Sequence, residues 1–215
     1  MKQEVIRAIE EHKVIAIVRG VAEDKLIPLA QALYDGGIRL IELTFSADGS
    51  VSDAQTAERI GALAKRFEGE MLVGAGTVLT EQQVALVSQA GGVFAISPNT
   101  DEDVILACNT HGIVSIPGAL TPTEIAAAHK AGADFVKLFP VSDLGPKYVK
   151  AVRAPLSHIR LLAVGGIDET NIADYLQVGA CGAGVGGNLV NRKWVETGEF
   201  EKITQVAKQL VAAVK

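Results

Sequence analysis

The 215-residue sequence predicts an α/β fold, a (β/α)8 barrel of the TIM type with an extra N-terminal helix, and three observations carry that expectation. Short β-branched or apolar runs recur eight times, and most are apolar throughout, as strands buried on both faces of a parallel sheet are. Segments with helical spacing separate the runs, so the chain reads as repeated βα units. The units repeat every 20 to 30 residues or so, which fits a compact barrel near the lower end of that fold's range of about 200 to over 400 residues. A doubly wound open sheet is the alternative.

In chain order, a helix from Met1 to Glu11 precedes the first strand. Strands are expected at Val14–Val18, Ile38–Phe45, Met71–Gly74, Val93–Ser97, Ile113–Ile116, Phe135–Phe139, Leu161–Gly165 and Cys181–Gly186. Between them, helical spacing covers Glu23–Tyr34, Asp53–Phe67, Glu81–Gln89, Asp101–Thr110, Thr123–Lys130, Pro146–Val152 and Glu169–Gln177, and Phe200–Lys215 forms the last helix. Gly37, Gly92, Gly112, Gly132 and Gly179 fall at helix-to-strand joints, where a left-handed cap ends a helix. Thr80, Thr121 with Pro122, and Asp168 mark helix starts with a capping side chain or a first-turn proline. No composition shift or linker interrupts the series, so residues 1–215 are expected to form one domain.

Composition narrows the function classes. Hydrophobic residues make up 48% and charged residues 21%, which excludes a disordered, collagenous or disulfide-framed chain. A net charge of −5 argues against nucleic acid or anionic lipid as partner, because both select a basic face. Cys108 and Cys181 lack metal-ligand spacing and read as buried thiols. The first residues carry mixed charge without a signal-like apolar stretch, and no run is long enough to span a bilayer, so a cytoplasmic location is expected.

Chemistry in a barrel sits at the C-terminal ends of the strands, whereas charge at their N-terminal ends is usually a solvated rim. Lys13, Arg39, Glu70, Asp134 and Arg160 begin strands and read as rim charges. Arg19, Glu42 and Lys137 are different, because they lie within or end apolar strands. Burial disfavours the charged form of a lysine and drives its pKa down, and a neutral amine attacks a carbonyl to form a Schiff base. The bland alternative is a buried Lys137–Glu42 pair that only fastens the barrel.

Val164-Gly165-Gly166-Ile167 and Gly184-Val185-Gly186-Gly187 supply glycine-rich ends to the last two strands, where barrels frequently hold a phosphate on backbone amides. An acidic protein can hold an anion there without a basic surface. Gly182-Ala183-Gly184-Val185-Gly186-Gly187 also satisfies a dinucleotide pattern, but it comes at the eighth strand with no following βαβ unit, so no dinucleotide is expected. His12, His111, His129 and His158 avoid the strand ends where a barrel metal would sit, and no serine elbow is present; neither a metal nor another cofactor is expected.

Seven motifs together resemble the KDPG/KHG aldolases, the lysine-dependent 2-keto-3-deoxy-6-phosphogluconate aldolases of class I. They are Ile17-Val18-Arg19-Gly20, Gly37-Ile38-Arg39-Leu40-Ile41-Glu42, Gly74-Ala75-Gly76-Thr77-Val78-Leu79, Ser97-Pro98-Asn99, Ile116-Pro117-Gly118, Lys137-Leu138-Phe139-Pro140 and Gly165-Gly166-Ile167. The resemblance implies a cytoplasmic, usually homotrimeric lyase of Entner-Doudoroff carbohydrate metabolism. Its substrate is a phosphorylated keto acid, cleaved to pyruvate and glyceraldehyde 3-phosphate. By the same resemblance, Lys137 matches the Schiff-base lysine and Glu42 the acid/base glutamate. Thr77 and Pro98 match residues around the pyruvate moiety, Arg19 matches an arginine able to hold the carboxylate, and Gly165, Gly166, Gly186 and Gly187 match the phosphate loops.

Three positions depart from many gluconate-type members: Ser46 stands where they have arginine, Gly187 where they have serine, and Val164 where they have threonine. Ser46 and Val164, with Gly145-Pro146-Lys147-Tyr148, look like the branch that handles the galactonate epimer. The galactonate epimer and 4-hydroxy-2-oxoglutarate therefore stand beside the gluconate compound as expected substrates. Two other readings compete: a phosphosugar isomerase or epimerase with Glu42 as base, and a non-catalytic phosphosugar-binding module.

Overall fold

A computed structural model describes residues 2–215; Met1, where the first helix was expected to begin, lies outside the described residues. Nine parallel strands form one sheet in the order β5-β4-β3-β2-β1-β9-β8-β7-β6. The strands are β1 (Val14–Val18), β2 (Leu40–Thr44), β3 (Leu72–Gly76), β4 (Phe94–Ile96), β5 (Val114–Ile116), β6 (Gly118–Ala119), β7 (Val136–Leu138), β8 (Leu161–Val164) and β9 (Gly182–Val185). The helices are α1 (Lys2–His12), α2 (Glu23–Asp35), α3 (Asp53–Arg66), α4 (Glu81–Gln89), α5 (Glu102–Thr110), α6 (Pro122–Lys130), α7 (Gly145–Arg153), α8 (Ile172–Gln177), α9 (Arg192–Thr197) and α10 (Phe200–Ala213).

The strand count differs from the expected eight because a further short strand, β6, forms beyond Pro117, just after the expected run Ile113–Ile116. Proline has no N–H to give to a ladder, and here the chain changes partner across it: β5 pairs with β4, and β6 pairs with β7. The two outer strands of the sheet are thus neighbours along the chain. The segment is bonded on its β7 side too, where Lys137 N–H donates to Pro117 O at 2.8 Å and Phe139 N–H to Ala119 O at 3.0 Å. The result is a nearly closed parallel barrel.

Period-two alternation sorts the strand residues into two cores. Outward residues such as Ala16, Ile41, Val73, Ala95, Leu138 and Ala183 pack against the helices. Inward residues Ile15, Leu40, Phe94, Ile96, Val114, Ile116, Phe135 and Leu162 form a second cluster, which α1 joins through Val5, Ile6 and Ile9. Those three recur on one face of an amphipathic helix and cover the end of the barrel at which the strands begin.

Local corrections have local causes. Gly37, Gly112, Gly132 and Gly179 are left-handed as expected, but at the joint before β4 Gly91 takes that conformation at φ +85°, and Gly92 does not. A side chain on Gly92 would press on Val87 and Ile60, so its role is close packing. Asp168 does not cap a helix from Glu169. Its carboxylate accepts from Thr170 N–H at 2.9 Å, forming a turn that delays α8 to Ile172. The six-residue α9 was not expected; Asn191 caps it.

Candidate active site

Glu42 lies in the middle of β2, level with Ile17 of β1 and Gly74 of β3. It points into the barrel and is 2% exposed. The place for its carboxylate is cleared by Gly76, where any added Cβ would collide with it. Burial pushes the Glu42 carboxyl up to about 7, against the pull of Lys137 and Arg19. Among the described residues its Oε2 has no hydrogen-bond partner.

Lys137, at the centre of β7, is level with Gly118 of β6 and Leu162 of β8. It is 7% exposed, and its ammonium nitrogen lies 4.5 Å from the centre of the Phe139 ring. Desolvation holds the Lys137 pKa below its ordinary value, with Glu42 opposing that shift and Arg19 adding to it. Glu42 and Lys137 share an interior void of about 10 Å³ with Ile17, Ile116, Val164 and Gly184. A void of that size is close to what one water needs.

Above them, at the C-terminal ends of the strands, opens a cleft of about 750 Å³. Arg19, Thr77 and Pro98, three of the expected substrate residues, line it together with Thr44 and Phe139. Thr77 is left-handed at φ +56°, an uncommon state for a β-branched residue. The four glycines lie elsewhere. Gly165 and Gly166, at φ +106° and +70°, follow β8, and Gly186 and Gly187 follow β9; none lines the cleft. Gly165 packs on Pro140 and Val141, whereas the space around Gly187 is open.

The cleft also contains side chains that strand patterning did not single out. Ser46 donates to Asp48 at 2.5 Å and lies 2.8 Å from the Ser50 hydroxyl; the Ser46 bond, with the Ser50 N–H donating to the same carboxylate at 3.0 Å, holds the Asp48 carboxyl down at about 2. Arg59 of α3 reaches the cleft with its Nε buried and unpartnered, and its Nη2 stands 3.5 Å from Glu23. Helical position gave no hint of Arg59. Phe139 was within reach, because it stands two residues after Lys137, on the same side of the strand. Among the described residues, no group of three or more His, Cys, Asp or Glu converges to hold a metal. No helix among them is long and apolar enough to cross a membrane.

The family model described as KDPG and KHG aldolase matches residues 5–206. A probable 2-dehydro-3-deoxy-6-phosphogalactonate aldolase of Rhizobium meliloti is 38% identical, over 83% of this chain and 82% of the relative. A 2-dehydro-3-deoxy-phosphogluconate aldolase of Treponema pallidum is 34% identical, over 98% and 97%. A KDPG aldolase from Legionella pneumophila, solved with pyruvate captured as a covalent carbinolamine, superposes with a TM-score of 0.85 at 26% identity, over 95% of this chain and 97% of that one. A parallel barrel with a buried lysine and glutamate beneath its open end, matched over nearly its whole length, belongs to the KDPG and KHG aldolase family.

Proposed function

We propose that this protein is a class I aldolase, a lyase that cleaves 2-keto-3-deoxy-6-phosphogluconate or a close relative, the galactonate epimer or 4-hydroxy-2-oxoglutarate, to pyruvate and an aldehyde. The family match supports this reading, as does the covalent pyruvate adduct of the Legionella structure. The observation that carries the mechanism is that Lys137 and Glu42 are both buried in one void, with the lysine pKa lowered and the carboxyl pKa raised. A pair held mainly by its mutual attraction would shift both the other way.

In the mechanism, neutral Lys137 Nζ attacks the C2 ketone, and the carbinolamine loses water to give an iminium. Glu42, directly or through a water, removes the C4 hydroxyl proton while the C3–C4 electrons move toward the cationic nitrogen. The aldehyde leaves, and an enamine remains. Glu42 returns the proton to C3, and water hydrolyses the iminium to pyruvate and free lysine. A base near pKa 7 suits both proton transfers, and such a base is worth about 10² to 10⁴ in rate.

Arg19 holds the carboxylate, Thr77 and Pro98 bound the pyruvate moiety, and Gly165, Gly166, Gly186 and Gly187 offer backbone amides to the phosphate. Arg19 and the glycines thus hold opposite ends of the substrate, its carboxylate and its phosphate. The eight-unit count of the barrel is recovered by reading β5 and β6 as one strand broken at Pro117, preceded by α1, with residues 1–215 as one domain. Ser46 and Val164 favour the galactonate epimer. The working form is a cytoplasmic homotrimer in Entner-Doudoroff metabolism, and its mass in solution, by sedimentation equilibrium, checks the assembly.

Borohydride reduction in the presence of pyruvate fixes a three-carbon unit on the peptide containing Lys137. An unmodified Lys137, or full activity of Lys137→Arg, would overturn the mechanism and favour an isomerase or epimerase. Binding of phosphosugar with neither turnover nor imine formation identifies a binding module.

A further inference from the structure

Thr77 is held in a conformation that is costly for a β-branched residue, so its surroundings must over-determine it. Two anchors follow it directly. Val78 is fully buried, and its N–H donates to Ile96 O at 3.1 Å. Leu79 N–H donates to the side-chain Oε1 of Gln83 at 2.7 Å. Gln83 is 8% exposed, and its Nε2 donates to Asp53 Oδ2 at 3.1 Å.

Asp53 is the first residue of α3, directly after the loop whose Ser46, Asp48 and Ser50 rim the cleft. One buried amide therefore ties the loop after β3 to the loop after β2. The amide is not needed to start α4, because Thr80 already caps that helix by accepting from Gln83 N–H at 3.2 Å. An apolar side chain would fill the same space but would leave the Leu79 N–H and the Asp53 carboxylate without this partner.

We propose that Gln83 is a positioning residue of the aldolase: its amide, accepting from Leu79 and donating to Asp53, clamps Thr77 in the left-handed conformation that presents it to the pyruvate moiety. The proposal rests on the reading of Thr77 as a substrate contact. Gln83 itself touches no reacting atom. Its contribution is to fix where the Thr77 side chain stands, and misplacement by about 1 Å at such a contact costs up to about 10²-fold in rate.

The experiment measures borohydride trapping by pyruvate, as a function of pyruvate concentration, in the full-length protein, with thermal melts alongside. Gln83→Leu and Gln83→Glu are expected to raise the half-saturating pyruvate concentration about tenfold. Gln83→Glu keeps the acceptor for Leu79 but faces the Asp53 carboxylate. Adding Asp53→Asn reverses the polarity of that bond and is expected to restore trapping to within about threefold of wild type, a rescue that Gln83→Leu/Asp53→Asn lacks. Wild-type saturation in folded Gln83→Leu, or no rescue in the folded double variant, overturns the proposal. If Gln83→Leu fails to fold, the comparison of Gln83→Glu with its double variant decides alone. Thr77→Val separates the premise from the clamp. Unchanged saturation in Thr77→Val removes the contact, and with it the reason for the clamp, while trapping in the wild type still upholds the aldolase.

Discussion

The two ends of the barrel treat charge in opposite ways. Where the strands begin, each rim charge has a partner. Lys13 donates to Val214 O at 2.8 Å, Arg39 donates to Tyr34 O at 2.9 Å and stacks on that ring, and Glu70 meets Arg66 at 3.5 Å. Asp134 meets Lys2 at 3.0 Å and accepts from Ser115 N–H at 2.8 Å, and Arg160 meets Glu10 at 2.6 Å. Toward the other end, Glu42 keeps an unpaired buried oxygen and Lys137 rests against an aromatic face. Satisfied charges fasten a structure, whereas charges buried without close partners have displaced pKa values and are free to move protons or attack carbon.

Glu42→Gln removes the one carboxylate that, among the described residues, the barrel buries without a full set of partners. Cleavage is expected to fall by about 10² to 10⁴, because the proposed base is gone. Between about pH 4.5 and 7 the folded chain keeps a proton on Glu42 that the unfolded chain has released, so stability declines as pH rises through that window. Above it the full cost of burying the carboxylate is present. Glu42→Gln is therefore expected to be more stable than wild type at pH 8, by an amount on the order of 3 kcal/mol, and to gain nothing at pH 4. Denaturant melts at the two pH values check this. Wild-type cleavage should likewise fade as pH drops below 7, a limb that the variant lacks.

Asp134→Ala tests the other end. Loss of the Lys2 pair and the Ser115 bond is expected to destabilise the protein by about 1 to 3 kcal/mol with kcat and KM unchanged. A large fall in kcat in a folded Asp134→Ala protein would show that the two ends are not separable. The smallest effect is expected for Gly187→Ser, whose Cβ would meet no atom within 4 Å. Its melting temperature should stay near that of wild type, and KM for the phosphorylated substrate should fall by a few-fold if a hydroxyl adds a bond to the phosphate. The same variant assayed on both epimers shows whether position 187 contributes to the choice between them.

Much of this was legible in the chain. The expected strand Val14–Val18 and helix Glu81–Gln89 coincide with β1 and α4, because a β-branched run and a capped amphipathic segment are both local signals. The burial of Lys137 and Glu42 was legible too, since an ionisable residue inside a run apolar on both sides has little chance of reaching water. What sequence could not show is contact between distant turns. Gln83 looks like any polar residue in a helix's first turn, and its two bonds reach an amide upstream and a carboxylate 30 residues away. Arg59 was hidden for the same reason. The split at Pro117 was foreseeable from proline's missing donor, but its outcome, one run serving two neighbours, depends on where the barrel meets itself.

That meeting point has a consequence for how activity is acquired. Lys137 donates its main-chain N–H to Pro117 O, across the line where the two ends of the sheet approach each other. In a chain open along that line, Lys137 would lose the burial that lowers its pKa. On the mechanism proposed above, reactivity with pyruvate is expected of the finished ring, and the appearance of the imine during refolding is expected to report closure. The same bonds pair the segment around Pro117 with β7, so little of the sheet edge there is left to another strand.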